Sequence, residues 1–143
     1  MIPEALLALI RKFEGLRLKP YRCPAGVPTI GYGHTGPDVR IDMPPISEPV
    51  AEAMMQQDAE VFHRAAGKLS PRLWLEGDDK HAAIADFCFN LGTTRYKAST
   101  LKRRVDAGDW QGAVEELQKW VWGGGKKLPG LVARRKAEAT LLT

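Results

Sequence analysis

Residues 16 to 46 cannot be a helix. Six prolines (Pro20, Pro24, Pro28, Pro37, Pro44 and Pro45) and four glycines (Gly26, Gly31, Gly33 and Gly36) fall in this one segment. A proline lacks the N–H that a helix needs and crowds the preceding turn, and closely spaced Pro and Gly punctuate turns. The segment therefore reads as a small β region. Short strands are predicted over 16–22 and 28–33, joined by a turn at Pro24-Ala25-Gly26. Gly31 and Gly33 either allow close backbone approach or serve as turn glycines. The chain on either side reads as helix, so the expected fold class is α+β. A small β lobe would span 15–46, and a larger helical lobe would combine 1–14 with 47–143.

The helices follow from spacing. Leu6, Leu9, Ile10 and Phe13 form an apolar stripe, Pro3 suits the first turn, and Gly15 is a stop, which predicts a helix over 3–13 with Glu14 at its C-terminal end. Ser47 is a candidate N-cap for a helix over 48–68, with Glu48 and Pro49 in its first turn. Some 20 residues of helix span about 30 Å, enough to connect two lobes. Pro71 ends it. Residues 78–91, DDKHAAIADFCFNL, start at Asp78 or Asp79 as cap and leave almost no polar face, which describes a central buried helix with Cys88 as an inert core thiol. Two short helices are predicted over 99–107 and 109–122, broken at Gly108. Gly123-Gly124-Gly125 reads as an irregular loop, and the last helix runs over 131–142. Trp110, Trp120 and Trp122 either pack between helices or stack on sugar rings.

One carboxylate stands at the junction of helix and β region. At a helix C-terminus the macrodipole disfavours the anion of Glu14, and burial beside Phe13 and Leu16 acts in the same sense. A carboxyl kept protonated can give its proton to a leaving oxygen. Eight residues separate Glu14 from Cys23, and five more separate Cys23 from Thr29. If the chain doubles back at 24–26, Cys23 and Thr29 face Glu14 across a gap and can hold a water. The plainer reading makes Glu14 a solvated helix end, Cys23 a semi-buried small residue and Thr29 an ordinary strand residue. Tyr21 and Tyr32 either line a sugar site or pack the lobe. His34 is a structural hydrogen-bonder or a catalyst.

The pattern Glu-x8-Cys-x5-Thr, set within EGLRLKPY and TIGYGHT, resembles the catalytic signature of phage-type lysozymes, the family of T4 lysozyme and the lambdoid-phage endolysins. FCFNLG is similar to the family's Phe-Asn-x-Gly, Ser99-Thr100-Leu101 to its Ser-Thr-Leu, and Gly130-Leu131-Val132-x-Arg134-Arg135-x-x-Glu138 to its C-terminal element, so the resemblance covers nearly the whole chain. It implies a lysozyme-like fold with a cleft between the lobes and Glu14 at its floor. It also implies cleavage of peptidoglycan between N-acetylmuramic acid and N-acetylglucosamine. Glu14, Cys23 and Thr29 would be catalytic, and Tyr32, His34 and Asn90 would bind substrate. No cofactor and no metal would be needed. The family usually carries Asp where Cys23 stands, and some members carry Cys. A lytic transglycosylase, which needs one Glu only, and a wall-binding module without activity are the alternatives.

Charge and composition bound the partners. The net charge is +4 and the pI about 9.2, which favours encounter with anionic polymers such as wall material. No nucleic-acid-binding motif accompanies the basic residues, so no nucleic-acid partner is expected. The longest N-terminal apolar run is six residues, Ala5 to Ile10, far below the ~18 needed to cross a bilayer. No signal peptide and no stable membrane insertion are expected. The protein is expected to be a monomer held in the host cytoplasm until a holin releases it to the wall. With two cysteines, Cys23 and Cys88, the chain is no disulfide scaffold.

Overall fold

The first helix, α1, spans Glu4–Glu14 and turns Leu6, Leu7, Leu9 and Ile10 into the core of this computed structural model, which describes residues 1–143. The strands β1 (Arg17–Arg22) and β2 (Pro28–Gly31) then pair antiparallel, with Arg17 opposite Gly31, Tyr21 opposite Thr29 and Arg22 opposite Pro28. The second strand stops two residues short of the expected 28–33. Ile30 and His34 exchange backbone hydrogen bonds of 2.9 Å and fold the intervening residues into a tight turn. Gly31 and Gly33 take φ of 67° and 72°, left-handed values that a continuing strand does not allow and that glycine adopts freely.

Helix α2 (Glu48–Leu69) starts where Ser47 accepts a hydrogen bond from the Val50 amide, and it touches α1, β2 and the next long helix. It thereby ties the hairpin to the helical body. A 3₁₀ turn at Pro71–Leu75 follows. Helix α3 (Asp78–Leu91) buries every residue from His81 to Cys88. Its N-cap is Gly77, not Asp78 or Asp79; both carboxylates lie inside the first turn, where they complement the helix dipole rather than cap it. Helices α1, α2 and the C-terminal helix all pack on α3, which makes it the centre of the molecule. Cys88 is fully buried there, and burial pushes its thiol up to about 12. Cys23 lies just beyond β1, and both cysteines are free.

The C-terminal third departs from the sequence expectation in three places. A short helix, α4 (Thr93–Lys97), carries the buried Tyr96, whose hydroxyl lies 2.7 Å from Ser70 Oγ. Helices α5 (Thr100–Asp106) and α6 (Trp110–Leu117) are capped by Ser99 and Asp109, but α6 ends well before 122. Trp122–Gly123 (β3) instead pairs with Lys126–Lys127 (β4). Gly124 and Gly125 turn this hairpin with φ of 58° and 78°, the double positive φ that a tight hairpin turn requires. The glycine triplet is thus a turn with paired strands, not an irregular loop. Helix α7 starts at Pro129 and runs to Leu141. Trp120 packs edge-on against Phe87 at 5.4 Å, whereas Trp122 is 62% exposed. A helical body with two small antiparallel hairpins is an α+β architecture.

Candidate active site

Glu14 is the last residue of α1, and its side chain remains 21% exposed. Two groups hold it. Arg134 Nη1, from α7, donates a 2.6 Å hydrogen bond to Glu14 Oε2. The backbone of Gly33 lies so close that a Cβ there would stand 2.5 Å from Glu14 Oε1. Arg134 is itself buried and gives its other donors to Asp86 on α3, Nε to Oδ2 at 2.9 Å and Nη2 to Oδ1 at 2.8 Å. Burial works against the charge on Arg134, but Asp86 and then Glu14 outweigh it and keep the guanidinium protonated. Burial likewise works to raise Asp86, and Arg134 overturns that and lowers it. The helix end alone would leave Glu14 without a counter-charge. Tertiary structure supplies one from 120 residues away.

Cys23 and Thr29 flank the hairpin turn. The Cys23 amide donates to the Val27 carbonyl at 3.0 Å, and the Gly26 amide donates back to the Cys23 carbonyl at 2.7 Å. Backbone hydrogen bonding from Val27, working against burial and joined by that of Ala25 and Gly26, lowers the Cys23 thiol below its ordinary value. The thiolate is therefore more populated than in a free cysteine. Thr29 is 2% exposed and donates its hydroxyl to the Val27 carbonyl at 2.8 Å, which leaves its oxygen free to accept.

The other three sequence candidates are differently placed. Tyr32 is 9% exposed and belongs to the core cluster. Asn90 Oδ1 accepts a 2.6 Å hydrogen bond from the buried Arg135. His34 is held at both ring nitrogens, Nδ1 at 2.7 Å from Asp58 Oδ2 and Nε2 at 2.9 Å from Asp38 Oδ2. Both remaining polar contacts fasten elements together: Asn90 joins α3 to α7, and His34 joins the β region to α2. A cavity of about 390 Å³ between Met1, Ile2, Glu60, His63, Arg64 and Trp74 contains none of these residues. Asp86 and Arg134 were missed as site residues by sequence reasoning. The one available signal was a lone carboxylate inside an otherwise apolar helix, which demands a buried partner.

The His34 tie has a testable pH dependence. Burial lowers the imidazole's proton affinity, but the hydrogen bonds and charges of Asp58 and Asp38 outweigh it and raise the pKa. A group raised on folding stabilises fully below its unfolded pKa of about 6.5 and ceases to do so as pH rises through the folded value. The melting-temperature gap between the native chain and His34→Gln should therefore be widest near pH ~6 and shrink as pH climbs past ~6.5. A hydrogen bond to a charged group contributes about 1.5–3 kcal/mol. A gap that widens towards alkaline pH would overturn this account.

Residues 11–138 match the family model described as phage lysozyme. An endolysin of Acyrthosiphon pisum secondary endosymbiont phage 1 is 39% identical over 145 aligned positions, covering 98% of this chain and 96% of that protein. The solved endolysin from Escherichia coli O157:H7 phage FAHEc1 is 32% identical, covers 99% of this chain and 92% of its own, and superposes with a TM-score of 0.83. The muramidase domain of SpmX from Asticaccaulis excentricus superposes with a TM-score of 0.85 at 29% identity, over 99% of this chain and 97% of that one.

Proposed function

The chain belongs to the phage lysozyme family, and from that premise we propose that it is an endolysin muramidase. It would hydrolyse the β-1,4 bond between N-acetylmuramic acid and N-acetylglucosamine in peptidoglycan. The observation that carries this reading is the Glu14 carboxyl, held by Arg134 and Gly33 at the end of α1, with Cys23 and Thr29 on the neighbouring hairpin at the signature spacing. Glu14 in its protonated form gives its proton to the leaving glycosidic oxygen. A water on the other face of the sugar attacks the anomeric carbon, and the configuration inverts, as in enzymes whose two groups leave room for that water. Thr29 Oγ1 accepts one hydrogen of this water, because its own hydrogen is spent on Val27. The Cys23 thiolate takes the proton that the water loses. Solvent exchange then restores the proton on Glu14 and removes it from Cys23.

Release through a holin, residence in the host cytoplasm beforehand and a monomeric state belong to the same proposal. No helix is long and apolar enough to cross a membrane. The thiol in place of a second carboxylate also favours a second reading. A lytic transglycosylase uses one Glu as acid and then base and closes the product to an anhydro sugar. The test is digestion of purified peptidoglycan followed by mass spectrometry of the product ends. Hydrated reducing ends support the muramidase, and anhydro ends support the transglycosylase.

Two variants probe the proposed chemistry. Gly33→Ala places a methyl 2.5 Å from Glu14 Oε1 and forces a left-handed φ of 72° on alanine. That conformation costs about 1–2 kcal/mol, and a carboxyl displaced by about 1 Å can lose ~10²-fold in rate. Turnover should fall roughly that far while the fold persists; native turnover would refute the close contact. Cys23→Asp should remain active, because a carboxylate accepts the water's proton, whereas Cys23→Ala should lose about 10²-fold or more. Equal rates for Cys23→Ala and the native chain would remove Cys23 from the mechanism.

A further inference from the structure

The pairing of β1 with β2 is interrupted between Arg17 and Tyr21. From Arg17 opposite Gly31, a regular ladder would set Lys19 opposite Thr29. Instead a step of four positions along β1, from 17 to 21, spans a step of two along β2, from 31 to 29, and Tyr21 stands opposite Thr29. A bulge of this kind re-aims side chains and is common beside active sites. Its effect here is chemical: a phenol takes the place an ammonium would have had. Directly opposed residues of an antiparallel pair project on the same sheet face, and so do residues two apart on one strand. Tyr21 and Thr29 therefore share a face, and Cys23, whose amide continues the ladder to Val27, falls on it too.

The Tyr21 ring is held in this position. The Arg17 guanidinium lies over it, 4.3 Å from the ring centre. Its hydroxyl has no hydrogen-bond partner acting on it. Burial first, and then the charges of Glu14, Arg17 and Cys23, govern its proton, with the sum raising its pKa. Nothing in the protein occupies this hydroxyl, and Cys23 follows two residues along the same strand edge. The phenol stays protonated across the neutral range, so it is a donor in search of an acceptor.

We propose that Tyr21 is a further substrate-contacting residue of this site, donating its O–H to an oxygen of the N-acetylated sugar bound between Glu14 and the Cys23–Thr29 edge. This rests on the peptidoglycan-hydrolase reading and deepens it. The hydroxyl orients the sugar so that the anomeric carbon faces the water on Cys23 and Thr29.

Tyr21→Phe tests this, because it removes the hydroxyl and keeps the ring under Arg17. Its melting temperature should match that of the native chain. Its kcat/KM on peptidoglycan should fall about tenfold, as expected for one lost hydrogen bond of ~1.4 kcal/mol. Calorimetric binding of a soluble disaccharide-peptide fragment, which requires no turnover, should weaken by a similar factor. If cleavage and fragment binding both stay within twofold of native, Tyr21 is only a packing residue and the inference is overturned. If the native chain fails to cleave but Tyr21→Phe still weakens fragment binding, the hydrolase reading falls while the sugar contact stands.

Discussion

Replacing Glu14 with Gln is expected to reduce peptidoglycan hydrolysis by about 10²–10⁴-fold, the range a positioned general acid supplies. The exchange is nearly isosteric. The amide oxygen can still accept from Arg134 Nη1, and the side chain still fits against Gly33. What it lacks is a proton that a leaving oxygen can take. Arg134 retains its two hydrogen bonds to Asp86, so the buried pair beneath the site stays intact. The melting temperature should accordingly move by no more than a few degrees. Loss of turnover with an unchanged melt isolates the chemistry from the fold. A Glu14→Gln enzyme that keeps a tenth or more of native turnover would exclude Glu14 as the acid.

The largest effect on stability is expected at Arg134. Arg134→Met leaves the fully buried Asp86 without either of its donors. Removing one partner of a buried ion pair costs about 3–5 kcal/mol, because the remaining charge keeps its desolvation penalty. For a chain of this size that is on the order of 10–15 °C in melting temperature. Glu138 is fully buried and pushed well above the usual carboxylate range, first by burial and then by Asp86, and burial lowers its partner Arg135. Arg134→Lys should fail as well, since an ammonium cannot serve Asp86 bidentately and reach Glu14 at the same time. The double variant Arg134→Met with Asp86→Leu separates the two roles. An apolar replacement of a buried pair is often neutral or stabilising, so the melt should recover. Turnover should not, because Glu14 has lost the group that aims it. If turnover recovered along with stability, Arg134 would matter to the core and not to the carboxyl.

Much of this could be read from local pattern. The proline and glycine density of 16–46 barred a helix, and none forms there. The caps at Ser47 and Ser99, the apolar stripe of α1 and the nearly all-apolar α3 each depend on residues within a few positions of one another. The position of Glu14 at the end of a helix follows from the same kind of information. Where the sequence misled, local signals competed. Three glycines suit an irregular loop as well as a hairpin turn, and the choice at 123–125 was made by pairing across the turn and by Leu128, whose amide donates to Val121. Asp78 and Asp79 look like caps, yet the chain entered α3 one residue earlier, through Gly77.

The amino-acid sequence alone determined the class of fold, the helix that ends at Glu14 and the spacing of Glu14, Cys23 and Thr29. These follow from short-range rules of backbone geometry and from matching residues along the chain. Tertiary structure alone decided that Arg134 crosses from α7 to hold Glu14, that Asp86 is its buried counter-charge, that His34 is spent on two carboxylates, and that a bulge sets Tyr21 rather than Lys19 opposite Thr29. The physical reason is common to all four. Periodicity states that a side chain is buried but not which distant group meets it, because a buried charge selects its partner only when packing brings the two within hydrogen-bond reach.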